Sequence, residues 1–579
     1  MKLRQLALAA LSAAAFPATG QEVDLSPVYW DAAARSYLEE FNWTGSEIDK
    51  PLAVGKHGAI TATMSAPAVY AGLQALQQGG TAADAVLTSA LTEIALVGGF
   101  FTSYSGLLGL VYYEAETDRV YSLDAGFNSV LAEAEPMSIP RERNGRNVLV
   151  PGFMAGVEAA HKRFGELPWR TIFEPAIYYA DTGFRLPQWF AQGLRTEGPL
   201  LTRLPESRSV FTRSDGEVYE EGDLFRQPQL ARTLRAVVDE GAEYMYSGAW
   251  AEKFIEAVRR EGGRISLNDM LAYKVTWSEP VQTSFLGYEV FASGLPAAGG
   301  VHVVEALNLA REAGLAGMPA PTKSAERFYW QSQIANVAAL TDASDDRLAS
   351  LGERLGMDIT LRARAGRAYA RALWAAITEG TIQLAKPPDG VLPGHSDAIV
   401  AIDQWGNVAT MQHTINDFVS DLYVDGVSIS HAARFQQRRI ARVESGQRVP
   451  SGANSVIIVR DGQPRAALAS IGTGLNQAMF SAILNLLSAE MEIKQAVDGP
   501  LLHLPTWSPD LEAFSANVIE GDFAAELLDR ARTMGLDVAV HQRPGLEVSG
   551  SVLGATIDPV SGTINAAGAR GFNALPFAY

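Results

Sequence analysis

The chain has 579 residues, 47% of them hydrophobic and 19% charged, which suits a large folded core and excludes a disordered chain or a coiled coil. A net charge of −18 excludes a nucleic-acid surface, which needs clustered Lys and Arg, and argues against docking on an anionic membrane. With no cysteine, disulfides, thiolate zinc sites and a Cys nucleophile are ruled out, and the eight histidines show no metal-ligand spacing such as HExxH.

Residues 1–20 have the three parts of a secretory signal: Lys2 and Arg4, the apolar stretch Leu6–Phe16, then the small residues Ala18, Thr19 and Gly20. The competing reading is a buried N-terminal helix. Export without cysteines predicts a periplasmic or secreted protein, and no later stretch carries 18 uninterrupted apolar residues, so no membrane span is expected. Pro67–Gln78 reads as a helix on Val69, Leu73 and Leu76, stopped by Gly79-Gly80. Thr81–Leu96 reads as a second helix, apolar on most faces and so buried. Strands follow at Leu107–Tyr113 and Arg119–Leu123. The middle is mainly helical: Val150 to His161, Pro168–Thr182, then segments 228–240, 249–261 and 267–273. Phe285–Ala292 reads as one strand, Gly299–Ala313 and Ser324–Asp342 as helices, and the Pro- and Gly-rich Lys386–Gly394 as an exposed connector. Beyond it come strands at Asp397–Asp403 and Val408–Thr414, a hairpin of Ser455–Arg460 and Pro464–Ser470 turning on Asp461-Gly462, the helix Leu475–Ala489, and strands at Ser551–Asp558 and Thr563–Gly568. Helices and strands mixed through both halves predict layered α and β.

One junction carries chemistry. The connector runs through His395 into Ser396 and an apolar strand. A cut between His395 and Ser396 makes Ser396 a new N-terminus, whose α-amine, with a reference pKa near ~7.7–8.0, can act as base for its own hydroxyl. A serine ahead of a strand is more commonly a turn residue, so its context decides. Ser396 is followed by a strand, the turn Gly406-Asn407, a second strand, and His413-Thr414-Ile415-Asn416, with 18 positions from Ser396 to Thr414. Elsewhere stand Gly79-Gly80-Thr81-Ala82-Ala83-Asp84-Ala85, Val150-Pro151-Gly152 with Gly156, and Glu174-Pro175-Ala176 through Gly183-Phe184. Pro296-Ala297-Ala298-Gly299-Gly300 and Ser470-Ile471-Gly472-Thr473-Gly474 complete the set.

In this order, over most of residues 57–579, the segments resemble those of the γ-glutamyltransferases. The resemblance implies a four-layer αββα sandwich of the N-terminal-nucleophile hydrolases. It implies a precursor that cuts itself into a large subunit, 21–395, and a small one, 396–579, which stay intertwined. Ser396 becomes the nucleophile, Thr414 the hydroxyl that bonds it, Asn416 the residue that orients the α-amine or the substrate, and Ser451 a substrate-binding serine. The N–H groups of Gly472 and Thr473 form the oxyanion hole, since glycine-rich turns let backbone donors approach an oxyanion closely. No metal or organic cofactor is implied; the partner is a small-molecule amide. Outside such a site Thr414 and Asn416 would satisfy strand-end backbone groups, Gly472 and Gly474 would be turn glycines, and His413 a packed or solvent-facing histidine. Arg434, Arg438, Arg439 and Arg442 have the spacing of a solvated helical face.

The sequence also departs from the family. The nucleophile is Ser rather than Thr, and Asp397 follows it. Gly126 stands where the family's carboxylate-binding Arg is expected, and Arg434 where its ammonium-binding Asp is expected. These changes predict a retained catalytic apparatus with an altered acyl group, either bearing an acid near Arg434 or largely apolar. The alternatives are a true γ-glutamyltransferase or glutathione hydrolase, a relative that cleaves a C–C bond, and a non-catalytic periplasmic binding protein.

Overall fold

The computed structural model describes residues 23–44, 50–337, 345–379, 396–508, 513–542 and 549–579. The proposed signal, His395 and the connector Lys386–Gly394 lie outside the described residues. The strands that build the centre are, in chain order, β1 Ala53–Gly55, β2 Ala59–Ala62, β3 Leu107–Glu114, β4 Arg119–Ala125, β5 Thr276–Ser278, β6 Val281–Phe285, β7 Tyr288–Ala292, β8 Asp397–Ile402, β9 Val408–Thr414, β10 Ser455–Arg460, β11 Gln463–Gly472, β12 Gly550–Ile557, β13 Ile564–Ala567 and β14 Phe577–Ala578. They form two seven-stranded antiparallel sheets, β14-β2-β8-β9-β3-β4-β5 and β1-β13-β12-β11-β10-β7-β6.

Side-chain alternation sorts each strand between two cores. Ala398, Val400 and Ile402 of β8 meet Ile457 of β10, Ala467, Ala469 and Ile471 of β11, and Leu553 of β12 in the core between the sheets. Ile399 and Ala401 point the other way, toward helices α1 Ala66–Gln77, α2 Ala82–Val97 and α3 Phe153–Phe164. On the far side, Val456, Ile458, Leu468 and Val552 pack against α4 Ala298–Glu312 and α5 Leu475–Leu487. The order helix, sheet, sheet, helix is the αββα sandwich the resemblance implied. At roughly 1.5–3 kcal/mol for each large aliphatic side chain taken from water, the middle layer fixes the two sheets against each other.

Every residue of α2 is buried, which is why its sequence shows no amphipathic stripe. Its start is fixed by a reciprocal cap between Thr81 and Asp84. The same Asp84 oxygen that accepts from the Thr81 N–H, Oδ2, also accepts from the N–H groups of Glu166 and Leu167, at 2.9 and 3.2 Å, tying α2 to the end of α3. Three expectations need correction. Phe285–Ala292 is not one strand: β6 ends at Phe285 and β7 starts at Tyr288, turning through Leu286 and Gly287 at φ 54° and 80°. Leu286 is a poor turn residue, so the sequence hides this hairpin. Pro168–Thr182 is a short 3₁₀ turn, Thr171–Phe173, followed by a helix, Glu174–Thr182, because Pro175 can occupy only a first helical turn. Ser324–Asp342 is helical from Ala325 to Val337; Ser324 precedes the helix, and 338–342 lie outside the described residues.

Strands from either side of position 396 alternate within both sheets. In the first, β8 and β9 sit between β2 and β3; in the second, β10–β13 sit between β1 and β7. No cut near residue 396 could separate two free-standing domains.

Candidate active site

Ser396 immediately precedes β8 and is 8% exposed. β8 pairs with β9 so that Asp397 faces His413, and continuing that register by one residue sets Ser396 opposite Thr414. By alternation Ser396 falls on the same face as Ala398 and Val400, the face toward the second sheet. Thr414 shares that face. Two residues earlier Gln412 Oε1 accepts from the Asn454 N–H at 2.9 Å, and at Thr410 the Oγ1 donates to the Leu468 carbonyl at 3.0 Å. Thr414 Oγ1 accepts from the Asn416 N–H at 2.8 Å and donates to the Phe101 carbonyl at 3.4 Å. Asn416, partly exposed, takes a left-handed φ of 52°, a conformation Asn tolerates better than most side chains.

These cross-sheet contacts also locate the glycine turn. Thr410 lies over Leu468, and Asn454, the residue before β10, falls opposite Ser470 when the β10–β11 register is extended by one. β9 and β11 therefore reach the same end of the sandwich, with Thr414 at the end of one and Gly472 at the end of the other. Gly472 has φ 93°, and a Cβ there would lie 2.4 Å from the Ser549 carbonyl oxygen, so only glycine fits. That oxygen is held in place: it accepts from the Gly474 N–H at 2.9 Å and from Thr473 Oγ1 at 3.4 Å. Gly472, Thr473 and Gly474 lead directly into α5, where the helix dipole and N-terminal amides favour negative charge.

Ser451 is buried. Its carbonyl accepts from the Ala298 N–H at 2.8 Å and its Oγ from the Ala453 N–H at 3.4 Å. Gly299 explains why this contact needs a glycine pair at the start of α4: a Cβ would come within 2.2 Å of the Ala453 carbonyl. Arg434 lies 3.8 Å from Asp417, and its guanidinium stands 4.2 Å over the Phe435 ring. Asp417 also pairs with Arg143 at 3.1 Å. Of the four arginines read as a solvated face, Arg434 is therefore turned into the molecule, while Arg438 is exposed. Beside Asn416 the rings of Phe101 and Phe418 meet at 5.0 Å, and Trp189 lies 5.9 Å from Phe101; all three are only partly buried.

Gly126 follows the end of β4, level with Thr414 and Leu107 across the sheet. A Cβ there would meet Asp124 Oδ1 at 2.8 Å and Arg448 Cδ at 3.2 Å. Arg448 fills this space from the other part of the chain. It pairs with Asp124 at 3.5 Å, donates to the Tyr273 hydroxyl at 2.5 Å and to the carbonyls of Gly126 and Lys274, and stacks over the Tyr273 ring. Burial pushes the Asp124 carboxyl up, and the Arg448 charge pulls it back down.

On the opposite face of β8 and β9, Asp397 and His413 meet Glu93 of α2, with one ligating atom of each within 4.8 Å of the others. All three are buried. Spacing rules could not find this trio, since its members lie far apart in sequence, and it holds the one set of carboxylates and imidazole among the described residues with the proximity to grip a metal. His413, expected to pack or face solvent, is packed.

The γ-glutamyltranspeptidase family model matches residues 68–568. A glutathione hydrolase proenzyme from Pseudomonas sp. is 25% identical over 499 residues, covering 80% of this chain and 84% of its own. The acylase ACY 1 proenzyme, also from Pseudomonas sp., is 25% identical over 476 residues, covering 78% and 83%. Among solved structures, cephalosporin acylase from Bacillus halodurans superposes with a TM-score of 0.76 at 18% identity, over 92% of this chain and 97% of that one, a likeness of fold. With this match across most of its length and the αββα architecture already described, the chain belongs to the γ-glutamyltranspeptidase family and is an amide hydrolase or acyltransferase of the N-terminal-nucleophile type.

Proposed function

We propose that the chain is an exported, self-processing amidohydrolase that cuts itself between His395 and Ser396 and then works through an acyl-Ser396 intermediate. The observation that carries the reading is the placement of Ser396 beside Thr414, at the end of the sandwich where Gly472 and Thr473 lead into α5. The Ser396 hydroxyl attacks the amide carbonyl while its α-amine takes the proton. The carbonyl oxygen gains the negative charge, and the N–H groups at Gly472 and Thr473 stabilise it, an effect of about 10²–10³ in rate per donor. Collapse of the intermediate breaks the C–N bond, and the leaving amine takes the proton from the α-amine. Water or a second amine then attacks the ester and frees Ser396. Thr414 orients the nucleophile; Asn416 and Ser451 bind substrate. The large subunit runs 21–395 and the small one 396–579, and the enzyme acts in the periplasm or outside the cell without a metal or organic cofactor.

The acyl group is other than γ-glutamyl and largely apolar. Supporting this, a Cβ at Gly126 would crowd the Asp124 carboxylate and the Arg448 side chain, Arg448 is committed to Asp124 and Tyr273, and Arg434 is already paired with Asp417. The half-buried rings of Phe101, Trp189 and Phe418 next to Asn416 offer an apolar wall instead. Comparing kcat/KM for γ-glutamyl-p-nitroanilide, glutaryl anilide and apolar acyl anilides tests the assignment. Apolar acyl groups are expected to lead. A preference for glutaryl would move the specificity to Arg434, and a preference for γ-glutamyl would refute the altered pocket.

A further inference from the structure

We propose that Glu93, Asp397 and His413 form a buried proton-holding cluster whose charge tunes the basicity of the Ser396 α-amine, with Asp397 as its positioning residue. The inference rests on the reading of Ser396 as an N-terminal nucleophile. Asp397 is the residue next to Ser396, and its carboxyl lies beneath β8 while the Ser396 side chain lies above. Two carboxyl groups and an imidazole meet there in a space closed to solvent. His413 Nε2 is 3.3 Å from Glu93 Oε2, Glu93 Oε1 accepts from the Met64 N–H at 3.0 Å, and Asp397 Oδ1 accepts from Thr63 Oγ1 at 3.2 Å. Asp397 Oδ2 is buried without a hydrogen-bond partner.

Among the described residues, the elements packed around the trio bring no cation. The segment just after β2 contributes Thr63 and the Met64 backbone, β3 places Leu108 beside His413, and α3 sets the Phe153 ring 5.6 Å from the imidazole. Among the described residues, the charge acting on Glu93 is that of Asp397, and no Lys, Arg or further carboxylate acts on Asp397 or His413. Two buried carboxylates without a counter-charge cannot both ionise, so the cluster retains protons. Burial and Asp397 push Glu93 well up, burial pushes Asp397 up to about 7, and burial pushes His413 down to about 3, which keeps the imidazole neutral. Near neutrality the cluster therefore passes between uncharged and singly negative. A negative charge roughly 6 Å from a terminal amine favours the ammonium form. An uncharged cluster leaves the amine free to accept the Ser396 proton.

The two carboxyl groups have different expected effects, because Asp397 is the one that titrates near neutrality. Asp397→Asn fixes the cluster uncharged and lowers the pH of the acid limb of kcat/KM by about half to one unit. Glu93→Gln exchanges a protonated, uncharged neighbour for an uncharged amide, so Asp397 goes on titrating and the limb stays near its wild-type position; the double variant behaves as Asp397→Asn. The pH profiles are measured on processed protein with the best anilide. On wild-type enzyme, infrared difference spectra should also show a protonated-carboxyl band that disappears as pH rises through about 7, a readout needing no variant. A lowered limb in Asp397→Asn, with Glu93→Gln near wild type, and that band support the cluster. An unmoved acid limb in Asp397→Asn, an equal shift in Glu93→Gln, absence of the band, or one equivalent of tightly held divalent metal per chain by elemental analysis would overturn it. Failure of the underlying reading looks different: no fragment starting at Ser396, or turnover untouched when that terminus is blocked.

Discussion

Gly472→Ala probes the oxyanion site through a single methyl group. The new Cβ would lie 2.4 Å from the Ser549 carbonyl oxygen and 3.4 Å from the Cα of Gly550. The carbonyl cannot retreat freely, because the Gly474 N–H and the Thr473 hydroxyl both bond to it. Relieving the contact moves the turn by roughly 0.5–1 Å, and a side chain at φ 93° adds about 1–3 kcal/mol of backbone strain. Weakening one of the Ser549 bonds adds about 0.5–1.5 kcal/mol, for a total of about 1.5–4.5 kcal/mol in stability. If the amides of 472 and 473 hold the oxyanion, kcat falls about 10²–10³-fold with little change in KM. The assay is kcat and KM on processed enzyme together with a denaturant midpoint. Gly462→Ala is the control: φ is 73°, nothing lies within 4 Å of the added Cβ, and the position is in the β10–β11 turn. It should lose about 1 kcal/mol of stability and no activity. A Gly472→Ala enzyme that matures and keeps kcat within twofold of wild type would refute the oxyanion assignment.

Burial raises Asp397 from 3.8 to about 7, so its contribution to stability is complete below the ordinary Asp value and is lost as pH rises through about 7. Burial lowers His413 from 6.5 to about 3, so its contribution is present above the ordinary His value and is lost as pH falls toward 3. The slopes oppose one another between about pH 4 and 6.5, each roughly 1 kcal/mol per pH unit. Glu93, also pushed well up, adds a second falling slope above about pH 4.5, so these groups make wild type lose stability as pH rises toward 6.5. In Asp397→Asn one falling slope is removed and stability by denaturant titration should change less with pH over that window; parallel curves would contradict the buried trio. Gly126→Arg should lower the thermal midpoint and gain no γ-glutamyl-p-nitroanilide turnover, because its Cβ already meets Asp124 and Arg448. Leu286→Asn should stabilise by about 1 kcal/mol by denaturant midpoint, since the residue sits at φ 54° in a two-residue hairpin turn where Asn-Gly is preferred.

What the sequence makes legible is local. The buried helix read from Thr81 onward is α2, Asp461-Gly462 turns a hairpin, and the apolar run after Ser396 is a central strand. Leu286 hides a turn because its side chain contradicts its backbone. The Glu93–Asp397–His413 trio is invisible for a different reason. Asp397 and His413 become neighbours only through β8–β9 register, and Glu93 joins them only when α2 docks on that sheet. The filling of the Gly126 region by Arg448, 322 residues away, is likewise a product of packing that no spacing rule contains.

Intact-mass spectrometry of the purified protein tests the central claim most directly. Wild type should give two polypeptides, the smaller with the mass of residues 396–579, and Ser396→Ala should give one uncut chain. A single unbroken chain in active wild type, or the same two fragments from Ser396→Ala, would contradict the account.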